Sequence, residues 1–282
     1  MELIFNKEHR YAIDLSTRRE TGNSTIYKAV DIELGRSVCI KQVDIYGNRE
    51  KEVKANLVTA LNEVRAMVRV ASVNNRIPQI YSTHFDEEQK KLYIIMQWIE
   101  GTTLRDRMNV DKCLFLKWME KICDILADMA KFKMSHKDIK PENIMIDKSN
   151  DLYLIDFNIS ISTPNVFEGT QHYKAPEMDN GSKSPNRDKA DMFSLGVIMY
   201  EFFTGQLPVK SKHYGKIRRS SEEWDMFIKP VEINPDIPDK LNEIICKSMS
   251  YQIKNRYKSY WELKHELYSA ERSLRYGKGN RK

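Results

Sequence analysis

The sequence predicts a two-lobed α+β protein, because the chain changes character near Gly101. Before this point, short segments rich in β-branched and aromatic residues alternate with one helical segment. After it, apolar residues mostly recur at helical spacing. A length of 282 residues suits one large domain or two lobes that share a cleft.

Five segments of the first part are predicted to form one antiparallel sheet. Each is bounded by Gly, Asn, Asp or Glu residues, which are common in the turns between strands. The segments are residues 10–15, 25–32, 37–43, 79–85 and 92–98.

Between the third and fourth of these segments, apolar residues recur every three or four positions, which predicts a helix with one buried face. Glu63 lies near the apolar edge of this helix. Further helices are predicted over residues 116–132 and 192–203, and a hairpin over residues 144–155. The apolar positions of the first helix are Val53, Leu57, Leu61, Val64 and Val68.

Composition excludes several classes of protein. Hydrophobic residues make up 41% of the chain and charged residues 30%, which is typical of a globular protein rather than a disordered one. No stretch reaches the roughly 18 to 20 apolar residues of a membrane-spanning helix. Residues 1–10 lack the apolar core of a secretory signal. We therefore expect a cytoplasmic protein with no membrane partner.

Cysteine spacing and charge give weaker indications. Four cysteines lie in apolar segments without metal-binding spacing, so they are expected to be reduced core residues. The net charge is +6, and basic residues concentrate in residues 210–219 and 271–282. No aromatic-rich recognition motif accompanies them, so nucleic acid is not the expected partner. A solvated face or a docking site for acidic substrates is the preferred interpretation. The cysteines are Cys39, Cys113, Cys123 and Cys246.

The most informative stretch is residues 136–143, with the sequence HKDIKPEN, followed by DFN at residues 156–158. Transfer of a phosphoryl group to a hydroxyl needs an acceptor for the hydroxyl proton, a cation beside the migrating phosphate and oxygen ligands for Mg²⁺. Asp138 and Lys140 supply the first two. Asn143 and Asp156 supply the metal ligands.

These motifs resemble those of the eukaryotic-type protein kinase superfamily, whose catalytic loop, H-R-D-x-K-x-x-N, and D-F-G motif match with two substitutions. VCIK at residues 38–41 is similar to the V-A-I-K strand, and EGTQHYKAPE at residues 168–177 to the segment that ends in A-P-E. The order of the motifs also matches, over about residues 10–270. The resemblance implies the bilobal protein kinase fold, with an N-lobe at residues 1–98, a C-lobe at 99–270 and a basic tail at 271–282.

The resemblance also implies roles for individual residues. Lys41 would bind the α and β phosphates of ATP and be held by Glu63. Asp138 would orient the acceptor hydroxyl and take its proton, while Lys140 would neutralise the γ-phosphate. Mg²⁺, or Mn²⁺ in its place, would be held by Asn143 and Asp156.

Further positions are assigned by the same resemblance. Met96 would be the gatekeeper before a hinge at residues 97–99. Asp191 would anchor the backbone of the catalytic loop, and Arg256 would pair with Glu177, so these three residues would be structural. The remaining positions implied to contact the nucleotide are Gly22, Asn23, Ser24, Ile26, Cys39, Gln97, Ile99 and Met145.

The chain departs from the family pattern in three places. Arg19, Thr21 and Ser24 stand at the three glycine positions of the glycine-rich loop. Side chains there should keep the backbone further from the phosphates, so ATP affinity is expected to be weakened but not lost. Asn158 replaces the glycine of D-F-G, and Lys137 replaces an arginine that would grip an activating phosphate.

Lys140 and Thr170 are similar to the serine/threonine subgroup, so Ser and Thr hydroxyls of proteins are the expected acceptors. One alternative is a pseudokinase that binds nucleotide weakly without phosphotransfer, which the altered glycine-rich loop would favour. Another is a small-molecule phosphotransferase, which generally lacks the peptide-binding segment found here at residues 169–177.

Overall fold

The structure, a computed structural model, describes residues 2–4, 10–21, 24–157, 172–179, 188–208 and 227–276. The chain divides into two compact units between Glu100 and Gly101, two residues beyond the boundary predicted from sequence. Strands dominate the first unit and helices the second. The predicted α+β class is therefore confirmed.

The strands of the first unit form one antiparallel sheet, as the sequence predicts, and their order, which was not predicted, is β1-β2-β3-β4-β6-β5. Strand β1 was not predicted, and β2 continues to Thr21 instead of ending at Leu15. The register of β2 with β3 shifts after Asp14, and pairing resumes at Arg19. This second part of β2 is polar and has no alternation of apolar residues, so the sequence pattern did not predict it. The strands are β1 (Glu2–Ile4), β2 (Tyr11–Thr21), β3 (Ser24–Asp31), β4 (Arg36–Asp44), β5 (Ile80–Asp86) and β6 (Lys91–Gln97).

One face of this sheet carries a hydrophobic core. Tyr27 pairs with Ile40, which in turn pairs with Ile95, and cross-strand partners point to the same face. All three side chains are buried, together with Val38 and Ala29. The residues that alternate with them therefore occupy the other face.

Helix α1 (Glu50–Ala71) begins where the Glu52 carboxylate accepts hydrogen bonds from the backbone N–H groups of residues 48 and 49. Its buried face runs through Val64, Met67 and Ala71. The prediction of Val68 as a buried position was wrong, because that residue lies outside this face and is exposed.

The second unit begins with strand β7 (Gly101–Thr103), which pairs with the hairpin of β8 (Ile144–Asp147) and β9 (Leu152–Leu154). Among the described helices of this unit, α2 is the longest, and it packs against α7. Helix α4 is buried throughout residues 190–200 and ends at Thr204. The next residue, Gly205, has a left-handed backbone (φ +72°), which suits the position after a helix. The helices are α2 (Lys112–Lys131), α3 (Pro176–Asp179), α4 (Asp188–Thr204), α5 (Pro230–Ile233), α6 (Asp239–Ser248) and α7 (Tyr260–Tyr276).

Three further findings qualify the sequence predictions. Helix α7 runs to Tyr276, so the first part of the predicted tail is helical. All four cysteines are free thiols, but only Cys123 is fully buried, and the other three are half-buried. Among the helices of the described residues, none combines the length and apolar character needed to cross a lipid bilayer.

Candidate active site

In the first unit, the predicted nucleotide-contacting residues share the sheet face opposite the hydrophobic core. Ile26 pairs with Lys41 across β3 and β4, and Cys39 pairs with Met96 across β4 and β6. Because cross-strand partners and alternate residues point to one side, these four residues and Ser24 lie on the same face.

Lys41 is 5% exposed, whereas Ile26 and Cys39 are half-buried. Glu63 is a half-buried residue of α1, and its ion pair with Lys41 stays a prediction. Gln97 ends β6, and Ile99 follows it as a buried residue.

The second unit holds Met145 on β8, opposite Thr103 of β7. Other predicted positions lie outside the described residues, and their assignments stay predictions. They are Gly22, Asn23, Asn158 and Thr170.

Helix α4 binds the backbone of the loop formed by residues 136–143. The carboxylate of Asp191 accepts hydrogen bonds from the backbone N–H groups of His136 (2.6 Å) and Lys137 (2.8 Å). Lys137 has a left-handed backbone (φ +68°), a strained conformation for lysine that these contacts help to fix. His136 Nε2 lies 3.0 Å from the carbonyl oxygen of Ile155, and its ring packs on that of Phe157. The loop is thus tied to the segment that contains Asp156.

Three predicted catalytic side chains meet within this loop. Lys140 Nζ lies 2.8 Å from Asp138 Oδ2, and Asn143 Nδ2 donates to the same oxygen at 3.0 Å. Asn143 Nδ2 also donates to the backbone carbonyl of Asp138 at 2.8 Å. The two donors fix the orientation of the Asp138 carboxylate, and both lie within five residues of it in the chain.

The two predicted metal ligands lie at the same end of the β8–β9 hairpin. Ile144 and Leu154 are partners across the hairpin, and the N–H group of Ile155 donates to the carbonyl of Asn143 at 2.9 Å. Asp156 comes next, with a left-handed backbone (φ +56°), which Asp tolerates better than most residues do. Since the amide nitrogen of Asn143 is held by residue 138, its Oδ1 atom remains the ligand atom of this side chain. An amide oxygen and a carboxylate are ligands that suit Mg²⁺.

The glutamate of A-P-E, Glu177, is held by a buried ion pair. Arg256 donates to both carboxylate oxygens of Glu177, at 2.6 and 2.8 Å. Its side chain is 0% exposed and also donates to the carbonyl oxygens of Ser250 and Lys189. The structure therefore contains the pair that the resemblance implied.

A second charged cluster was not predicted from the sequence. Arg105 donates to Glu142 (2.8 Å), to Glu201 (2.7 Å) and to the hydroxyl of Tyr173, which donates to Glu201 at 2.5 Å. Although burial opposes it, the bonds to the two glutamates raise the pKa of Arg105. Burial and the Glu201 carboxylate raise the pKa of Tyr173. Both groups therefore stay protonated at neutral pH.

This cluster connects two parts of the candidate site. Glu142 lies in the catalytic loop between Lys140 and Asn143, and Tyr173 lies in the segment that ends at Glu177. Glu142 and Tyr173 lie within the motifs at residues 136–143 and 168–177, whereas Arg105 and Glu201 belong to no motif that the sequence displays.

Comparison with known proteins gives a consistent family assignment. Residues 20–268 match the protein kinase domain family. A probable serine/threonine-protein kinase of Clostridium acetobutylicum is 29% identical over 87% of this chain and 38% of its own length. The serine/threonine-protein kinase PrkC of Bacillus subtilis is 27% identical over 88% of this chain and 39% of its own length.

The serine/threonine-protein kinase PknL of Mycobacterium tuberculosis is 32% identical over 84% of this chain and 59% of its own length. The chain thus spans about two fifths of the first two relatives and a larger part of the third. The family match covers most of the chain and includes the candidate site residues described in each unit. The chain therefore belongs to the protein kinase domain family.

Proposed function

We propose that this protein transfers the γ-phosphate of ATP to Ser or Thr hydroxyls of proteins. The observation that carries this proposal is the contact of Lys140 and Asn143 with one carboxylate oxygen of Asp138. The names of the three relatives, all serine/threonine-protein kinases, support the choice of acceptor.

In this proposal, Asp138 accepts the proton of the substrate hydroxyl as the oxygen attacks the γ-phosphorus, and the bond between that phosphorus and the bridging oxygen breaks, so that ADP leaves. Lys140 places a positive charge beside the same carboxylate, where it can stabilise the charge of the migrating phosphoryl group. Asn143 and Asp156 would hold Mg²⁺, which neutralises charge on the phosphate oxygens. Lys41, on the sheet face shared with Ile26 and Cys39, would bind the α and β phosphates.

Phosphotransfer is tested by incubating the purified protein with ATP, Mg²⁺ and a mixture of acceptor proteins, followed by mass spectrometry. We expect phosphate on Ser and Thr residues. Asp138→Asn should reduce the rate by about 10² to 10⁴-fold, and Lys41→Met should have a similar effect. Asp236→Asn, which changes an exposed carboxylate, is the matched control and should retain the full rate.

Other outcomes would replace the proposal. An unmodified protein that binds ATP but transfers no phosphate with either Mg²⁺ or Mn²⁺ would be a pseudokinase. Phosphate found on small metabolites but on no protein would indicate a small-molecule phosphotransferase. Equal rates of phosphotransfer for Asp138→Asn and Asp236→Asn would show that Asp138 has no role in the reaction.

A further inference from the structure

One stripe along helix α7 carries aromatic and basic side chains only, and the exposed Ser269 and Ser273 lie beside it. At about 100° per residue, the positions concerned fall within a stripe about 120° wide. Three large rings on it are strongly exposed: Trp261 (54%), Tyr268 (49%) and Tyr276 (65%). We call this stripe the aromatic-basic face; its members are Trp261, Lys264, His265, Tyr268, Arg272, Arg275 and Tyr276.

The acidic residues of α7 lie off this face and are already paired. Glu262 and Glu266 form ion pairs with lysines of α6. Glu271 is buried and binds Arg275. The aromatic-basic face has no acidic member, but the Asp124 carboxylate of α2 binds Lys264 at 2.7 and 2.8 Å, and Glu271 binds Arg275. Arg272 therefore carries most of the charge that this face offers to a partner. A complementary partner is rich in hydrogen-bond acceptors and negative charge.

Cations on this face are held against the rings. Lys264 Nζ lies 5.3 Å from the centre of the Trp261 ring, and the Arg272 guanidinium lies 5.8 Å from the centres of both Tyr268 and Tyr276. Such contacts fix the cations in place. They also cover ring faces that nucleic acid bases would need for stacking. Because the face has no aliphatic member, it offers little for insertion into a lipid layer.

We propose that the aromatic-basic face binds a segment of a partner protein that is rich in Asp and Glu. Carboxylates accept paired hydrogen bonds from guanidinium groups, and Arg272 is placed at the middle of the face. Trp261 and Tyr276 are separated by about 22 Å along the helix, the length of about seven extended residues.

Fluorescence anisotropy tests this proposal with the whole chain and a labelled twelve-residue peptide of alternating Glu and Ser. Binding is expected at about 0.1 M salt, where the Debye length is about 10 Å. Arg272→Glu should weaken it about tenfold, and Tyr268→Ser by a smaller factor. Arg69→Glu changes the net charge equally on an exposed position of α1 and should leave binding unchanged. The measurement needs no phosphotransfer, so its result is independent of the proposed activity.

Three results would overturn the proposal. If Arg272→Glu and Arg69→Glu weaken peptide binding equally, the peptide is attracted only by the net charge of the protein. Tighter binding of a twelve-residue oligoadenylate, or of phosphatidylserine vesicles, would assign the face to nucleic acid or to a lipid surface. Unchanged peptide affinity in both Arg272→Glu and Tyr268→Ser, with circular dichroism showing that each variant is folded, would show that the aromatic-basic face does not bind the peptide.

Discussion

Arg256 and Glu177 form a two-pronged ion pair inside the second unit, although they lie 79 residues apart in the chain. The arginine side chain is 0% exposed and that of the glutamate 10%. A charge buried in this way depends on its partner, because it has lost most of its hydration. The pair therefore links the A-P-E segment to the region after α6.

Removal of one member should be strongly destabilising. We expect Glu177→Ala to lower the free energy of unfolding by about 3 to 5 kcal/mol, since it leaves the Arg256 charge buried without its carboxylate. Arg256→Lys should cost less, because it keeps the charge but loses the fork. Urea denaturation followed by circular dichroism measures both. A loss below about 1 kcal/mol for Glu177→Ala would contradict this account.

Arg105 is expected to position the segment that ends at Glu177 relative to the catalytic loop. Arg105→Ala leaves the Glu142 and Glu201 carboxylates without the cation that they share, and it removes a hydrogen bond to the Tyr173 hydroxyl, so the segment that ends at Glu177 should shift. Given the proposed activity, kcat/KM for a protein substrate should fall about tenfold to a hundredfold. The KM for ATP should change less than twofold, since none of these residues lies on the predicted nucleotide-contacting face.

A conservative change and a neighbouring arginine serve as controls. Arg105→Lys keeps the charge and should restore part of the activity. Arg107→Ala removes a surface contact with Asn150 (2.8 Å) and should have little effect. An equal loss in Arg107→Ala, or a matching rise in the KM for ATP, would contradict a positioning role for Arg105.

Local signals in the sequence account for the predicted fold elements and for the grouping of residues in the catalytic loop. The sheet, α1 and the β8–β9 hairpin follow from periodicity and turn residues within short windows. The contacts of Asp138 with Lys140 and Asn143 are likewise local. In contrast, Arg105 contacts residues 37 and 96 positions away. Periodicity in the sequence cannot predict contacts between residues so far apart. Glu177, which lies 79 residues from Arg256, was identified as its partner only through the family resemblance.

Asp31 should contribute a pH-dependent part of the stability of the first unit. Its carboxylate is 0% exposed and accepts two hydrogen bonds from Arg10, at 3.2 and 3.1 Å. Burial alone would raise the pKa of Asp31, but the bonds and charge of Arg10 lower it below the ordinary value. A carboxylate with a lowered pKa stabilises the fold above its unfolded-state pKa of about 4, and this stability is lost as the pH falls through the lowered value.

Asp31→Asn should therefore lower the free energy of unfolding at pH 7 by about 1 to 3 kcal/mol. The difference from the unmodified protein should narrow below about pH 4, as the native carboxylate becomes protonated. Urea denaturation at a series of pH values from 7 to 3 measures this difference. Glu88→Gln, at an exposed turn, should show no difference at any pH. If the difference in free energy of unfolding between Asp31→Asn and the unmodified protein stays constant down to pH 3, the ionised Asp31 carboxylate is not the source of the stabilisation.

Glu120 shows the opposite sign of pH dependence, at the contact of α2 with α7. Burial, followed by the charge of Glu271, raises the pKa of Glu120, while Lys264 and Lys117 act against this and Asp124 adds to it. Its Oε1 atom is buried and accepts no hydrogen bond from the described part of the chain. An acid with a raised pKa favours the fold when protonated, so this contribution is complete below the unfolded-state pKa of about 4.3 and is lost as the pH rises through the raised value.

Glu120→Gln should therefore stabilise the protein at neutral pH, because the amide keeps the shape of the protonated acid and carries no charge. We expect the free energy of unfolding to rise at pH 7.5 by up to about 1 kcal/mol after solvent screening, and the gain to vanish near pH 4. Urea denaturation at both pH values tests this, with Glu243→Gln on the exposed side of α6 as the control. A loss of stability at pH 7.5 would show that the ionised carboxylate supports the packing of α7, since the amide matches the acid in size and differs from the carboxylate in charge.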